Sequence, residues 1–105
     1  HGKHYHDEEM GSVCLDADRP LDEVKFDRWI SQVLAEQGQN ILRAKGIIDL
    51  AGRKDRFVLQ AVHMIKDGGF QRPWKADERR WSRLVFIGRE LDEGALKSGF
   101  DACRA

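Results

Sequence analysis

Cysteine, proline and tyrosine are scarce in this 105-residue chain, which holds 2, 2 and 1 of them. The two cysteines, Cys14 and Cys103, sit near opposite ends. That spacing suits neither a disulfide-dense secreted scaffold nor a CxxC metal knuckle, so a reducing cytoplasm is the expected setting. Both thiols read as small apolar core residues. Net charge is absent as well, because 18 basic residues balance 18 acidic ones. No long-range field then draws the chain onto nucleic acid or an anionic membrane, and neither is expected as a partner. The apolar runs are a few residues long, against roughly 20 for a membrane-spanning helix, and no signal peptide opens the chain.

Catalytic signatures are missing too. There is no GxxxxGK[ST] phosphate loop, no GxGxxG opening a helix and no GxSxG elbow. The adjacent carboxylates Glu8 and Glu9, and Asp77 and Glu78, lie in polar segments where solvation keeps acidity ordinary. No enzymatic activity is expected of this chain. It opens on His1 instead of Met, which predicts that a longer protein surrounds it.

What is present is the composition of one soluble globular domain, 41% hydrophobic and 34% charged. Residues 1–9 are polar and lack an apolar period, which predicts a flexible interdomain tail ahead of a domain over residues 10–105. Val13 and Leu15 share one parity in a short strand. Asp22 is placed to cap a helix whose stripe of Phe26, Trp29, Ile30, Val33 and Leu34 has helical spacing, with Leu21 and Phe26 as a staple. A strand over 41–50 places Leu42, Ala44, Gly46, Ile48 and Leu50 on one face and Arg43, Lys45 and Asp49 on the other. A second strand, 57–65, pairs with it as a hairpin, Gly68 and Gly69 break the pattern, and 70–81 reads as irregular. A further strand covers Leu84 to Ile87. Asp92 caps a last helix with Ala95, Leu96, Gly99, Phe100 and Cys103 on its stripe and Leu91 as staple. The order predicts an α+β fold, a mostly antiparallel sheet of about four strands with two helices on one face, loosely ferredoxin-like.

The clearest ligand chemistry belongs to His1, His4 and His6, followed by Asp7, Glu8 and Glu9. Neutral imidazole is a common ligand for zinc and cobalt, and alternate residues of an extended chain point the same way about 6.6 to 6.8 Å apart. Held on a mobile segment, they predict a weak, exchangeable divalent-metal site, because ordering the segment subtracts from the binding energy. An inert solvated tail is the competing reading. His63, in mid-strand beside Leu59 and Ala61, reads as a core or interface residue before it reads as a ligand. Arg43, Lys45, Arg53, Lys54 and Arg56 gather at one hairpin and Arg79, Arg80, Arg83 and Arg89 near the last strand, with Trp74 and Trp81 close by. Interleaved acids, among them Asp49, Asp55, Asp77, Glu78 and Glu90, cancel most of that charge and argue for a solvated face or a domain-contact surface over a nucleic-acid one.

The stretch Arg43-Ala44-Lys45-Gly46-Ile47, then Val62-His63, Trp74 and the run Ser82-Arg83-Leu84-Val85-Phe86-Ile87-Gly88-Arg89-Glu90-Leu91-Asp92, in this order and spacing, resembles the C-terminal domain of CobW-type proteins. The resemblance extends from about Val13 to Phe100. It implies an N-terminal P-loop GTPase domain in the same protein, which alone would bind GTP, joined through a segment often rich in histidine. It further implies delivery of a divalent metal, zinc or cobalt, to a metalloprotein or metal-insertion client, and a contact role for Arg43, Lys45, His63, Trp74 and Arg83. The family's Cys-x-Cys-Cys metal motif belongs to the GTPase half and has no match here.

Overall fold

The computed structural model describes residues 10–105. Seven elements run in the order β1 (Gly11–Ala17), α1 (Glu23–Gln37), β2 (Ile41–Ile48), β3 (Asp55–Val62), β4 (Ile65–Pro73), β5 (Ser82–Gly88) and α2 (Glu93–Asp101). The strands form one sheet in the order β1-β5-β2-β3-β4, every neighbouring pair antiparallel. The α+β class and the two packed helices match the expectation, with five strands where about four were expected.

Alternation sets the two faces of the sheet. Val13, Phe86, Ala44 and Ala61 are register partners in successive strands, as are Leu15, Leu84, Gly46 and Leu59, and all eight are buried. The helices close this face. Phe26, Ile30, Val33 and Leu34 of α1 and Leu96 and Phe100 of α2 join the strand residues in one core cluster. Complete burial of such a side chain stabilises by about 1.5–3 kcal/mol, so the two stripes supply most of what docks the helices. Trp29, half-buried, fills the corner between layers: its ring centroid lies 6.2 Å from that of Phe86 and 5.7 Å from that of Phe100. Both N-caps form as expected. The backbone N–H of Lys25 donates to Asp22 Oδ2 at 2.9 Å, and that of Ala95 donates to Asp92 Oδ1 at 3.0 Å.

Several expectations need correction. The strand expected over 57–65 is cut by a two-residue turn at His63 and Met64, with φ of 52° and 72°, and the chain then runs back as β4 through Gly68, Gly69 and Phe70. The break thus falls before the glycines. His63 lies on that exposed turn and not in mid-strand. Leu42 is exposed and Ile41 takes the core position, because a register shift between Ile41 and Arg43 moves the start of β2 by one residue. Cys14 has the parity opposite to Val13 and Leu15 and is exposed, whereas Cys103 is buried as expected.

Asp49, expected on the wet face, is 3% exposed. Its backbone N–H donates to Ser82 Oγ at 2.8 Å and its carbonyl accepts from Leu21 N–H at 2.9 Å, so the end of β2 is tied both to β5 and to the loop before α1. The same loop holds the end of the chain: Asp22 N–H donates to the Cys103 carbonyl and Ala105 N–H to that of Pro20.

Candidate functional site

The helices cover one face of the sheet, and the other face carries Arg43, Lys45 and Arg83 of the basic residues that the sequence singled out. Register places them. One row across the strands reads Ser12, Ile87, Arg43, Val62 and Ile65, the next Cys14, Val85, Lys45, Gln60 and Asp67, and the third Asp16, Arg83, Ile47, Val58 and Gly69. Arg43, Lys45 and Arg83 therefore share one surface although some forty residues separate the β2 pair from Arg83. Between them lies a shallow depression of about 360 Å³, with Ile47, Val58 and Val85 as floor and Lys45, Arg56 and Arg83 around it. The three floor residues are half-buried. Among the described residues, no ion pair involves Arg43, Lys45 or Arg83.

One end of this face is built by the loop between β4 and β5. Glu78 organises it, accepting from Arg72 Nη1 and Nη2 at 2.9 and 3.0 Å and from the Lys75 backbone N–H at 3.0 Å. Those bonds, with Arg72 first, hold its carboxyl down to about 2. Arg56 approaches the same carboxylate at 3.8 Å and places its guanidinium 5.7 Å from the Trp74 ring centroid. Trp74 is half-buried, and its indole N–H finds no hydrogen-bond partner among the described residues. Trp81 is flanked by Arg79 and Arg83, whose guanidinium carbons lie 4.8 and 5.2 Å from its ring centroid. The cations thus sit against aromatic rings, a geometry worth about 0.5–1 kcal/mol at exposed sites. Behind the loop, burial pushes the Asp49 carboxyl up, opposed by Arg80 with Nη1 at 3.7 Å from Oδ1.

Of the five contact candidates, Arg43, Lys45 and Arg83 come together, Trp74 joins them through Arg56, and His63 does not. The imidazole belongs to the β3–β4 turn and lines a separate hollow with Met10, Met64 and Arg89. His1, His4 and His6 lie outside the described residues, and among the described residues no three His, Cys, Asp or Glu side chains gather as a metal site. Sequence reasoning missed the apolar floor of the open face. The alternation of Ile47 with Lys45, and of Val85 with Arg83, is the signal that marks it. A second cleft, about 220 Å³ between α1 and the β3–β4 hairpin, is bounded by core side chains and by the Lys66–Asp27 and Arg53–Glu23 ion pairs at 2.8 and 2.9 Å. The first ties α1 to β4 and the second ties α1 to the β2–β3 turn, and together they account for it structurally.

No helix among the described residues is long and apolar enough to cross a membrane. Residues 10–104 match the family model described as the cobalamin synthesis protein cobW C-terminal domain. The chain is similar to the zinc chaperone YjiA of Escherichia coli K12, 30% identical over 96 residues that make up 91% of this chain and 30% of that protein. It is also similar to the zinc chaperone CobW of a Sinorhizobium species, 35% identical over 101 residues, covering 95% of this chain and 28% of the relative. The crystal structure of the Zn(II)-bound YjiA GTPase from E. coli superposes with a TM-score of 0.87 at 30% identity, over 91% of this chain and 30% of that one. The chain thus spans under a third of the length of these relatives.

Proposed function

Because this chain belongs to the family of cobW C-terminal domains, we propose that it serves as the C-terminal module of a CobW-type, GTP-dependent metallochaperone acting in the cytoplasm. The match over residues 10–104 carries the reading, and the zinc-chaperone names of the relatives make zinc the first metal to test, ahead of cobalt. Metal here is cargo. In this reading a P-loop GTPase domain elsewhere in the same protein binds GTP and sets the state of the assembly. This domain contributes contacts through Arg43, Lys45, Arg83 and Trp74 to that domain or to a metalloprotein client. His4 and His6, with His1, hold a divalent ion weakly, and Asp7 to Glu9 help attract it.

Titration of the chain with zinc and with cobalt tests the metal role. Binding should weaken as pH falls through about 6.5, where unperturbed imidazole protonates. Removal of residues 1–6 should abolish that pH-dependent binding and leave the unfolding temperature unchanged. Equal binding by the truncated chain would move the site elsewhere, with His63 and the cysteines next in line. A large loss of stability would show the segment to be structural. The open, charged sheet face supports a second reading, a protein-interaction module whose histidines are inert, and absence of metal binding at neutral pH would select it.

A further inference from the structure

The open face of the sheet is the feature of the described domain that its own packing leaves unexplained. Five strands spaced by about 4.8 Å, with seven to nine residues each rising about 3.4 Å, give a surface of roughly 600 Å². Docked against an equal area it buries about 1,200 Å² in total, within the range of about 600–1,500 Å² for contacts between domains of one chain. Its chemistry suits the same purpose. Ile47, Val58 and Val85 form an apolar floor too small for an obligate interface, and Lys45, Arg56 and Arg83 surround it. Arg43 extends the positive strip along β2. On the strands its acids, Asp16 on β1 and Asp67 on β4, stand at the two edges, and Glu78 at one end is held by Arg72 with Arg56 3.8 Å away, so the positive centre rests on Arg43, Lys45 and Arg83. A chain with no net charge therefore presents a locally positive centre that matches a partner surface with carboxylates around apolar side chains.

We infer that this open sheet face, centred on Lys45, Arg83, Ile47, Val58 and Val85, is the docking surface for an acidic, apolar-centred patch on the GTPase domain of the same protein, an inference that rests on the function proposed above. Relatives more than three times as long as this chain supply the room for such a domain. Tethering supplies the affinity: a linked partner is present at millimolar effective concentration, so a modest mixed face suffices where two free proteins would need a larger one. Bare β-branched side chains also favour a protein over a nucleic-acid strand. Nucleic-acid faces offer exposed aromatic rings for stacking, and here the Trp81 ring is already flanked by Arg79 and Arg83.

Lysine acylation with a water-soluble acetylating reagent, read by mass spectrometry, tests this by comparing chain 1–105 with the full-length parent. Lys45 should label at least tenfold more slowly in the parent. Lys97, exposed on α2 in the helical layer, should label equally in both. Arg83→Glu and, separately, Arg43→Glu in the parent should restore Lys45 labelling, and each substitution should leave the unfolding temperature of chain 1–105 unchanged, which separates lost docking from lost folding. Raised salt should have the same effect as the substitutions. Equal Lys45 labelling in parent and isolated chain would overturn the inference while leaving the proposed function standing. Protection of Lys45 in the isolated chain by a single-stranded oligonucleotide, with none in the parent, would overturn it in favour of nucleic acid. A gene encoding no phosphate loop would remove the function and the inference together.

Discussion

Two glycines in α2 should respond to alanine with opposite signs. At Gly94 an added Cβ has Asp92 Oδ1 as its nearest neighbour, at 3.7 Å, an ordinary contact. Alanine there gains helix propensity and should stabilise by up to about 1 kcal/mol. At Gly99 the added Cβ would stand 2.7 Å from Trp29 Cδ1 and closer still to its Nε1. Phe86 and Phe100 pack against the Trp29 ring and resist its displacement. Overpacking costs about 1–3 kcal/mol, and subtracting the same propensity gain leaves Gly99→Ala destabilised by up to about 2 kcal/mol. For a domain of this size each 1 kcal/mol moves the midpoint by about 4–8 °C, so thermal unfolding by circular dichroism resolves both changes. Replacing Trp29 by Leu should cancel the clash, making Gly99→Ala stabilising in that background, with a coupling of about 2 kcal/mol in the double-mutant cycle. If Gly99→Ala stabilises the native background as Gly94→Ala does, or if Trp29→Leu brings no rescue, the close approach of α1 and α2 through Trp29 is wrong.

Asp49 gives a pH signature. Burial raises its folded-state value above 3.8, so its contribution is present below that value and lost as pH rises through the folded one. Asp49→Asn should therefore raise the unfolding temperature at pH 7, with the gap to the parent closing in acid. Glu78 behaves in the opposite sense: held at about 2, it stabilises above 4.5 and the contribution disappears as pH falls through about 2. Glu78→Gln should lower the midpoint at neutral pH and converge with the parent in that acid window, with Arg72 losing its bidentate partner. Calorimetric titration of the chain with GTP and magnesium should give no binding heat, because no segment supplies a phosphate loop, and micromolar binding would refute this.

The parts of the fold legible in the sequence are those whose period is local. Ile30, Val33 and Leu34 follow Phe26 at helical spacing, and Asp22 and Asp92 stand where caps belong, so both helices follow from neighbouring residues alone. The β3–β4 turn was hidden because His63 and Met64 occupy left-handed positions that usually go to glycine or asparagine, while Gly68 and Gly69 lie inside a strand. Leu42 was misplaced by the register shift at Arg43, which breaks parity without any compositional mark. The basic residues of the candidate face were visible as two clusters. Their union was not, because it depends on β5 entering between β1 and β2, a pairing across distant parts of the chain. Trp74 and Arg56 likewise meet only once Glu78 has organised the loop that follows β4.

That placement of β5 also sets an order of events during synthesis. Among the described strands β1 pairs with β5 alone, so the first of the five to leave the ribosome has no partner until the last of them emerges. At about 5–20 residues per second, the roughly 70 residues between them take several seconds. Over that interval the β2–β3–β4 meander can form from near neighbours, while β1 waits with both edges bare. Closure of the sheet and the docking of α2 then follow together once β5 and α2 have emerged. β1 is therefore secured last, and a ribosome stalled before β5 would leave an unfinished sheet with an exposed edge.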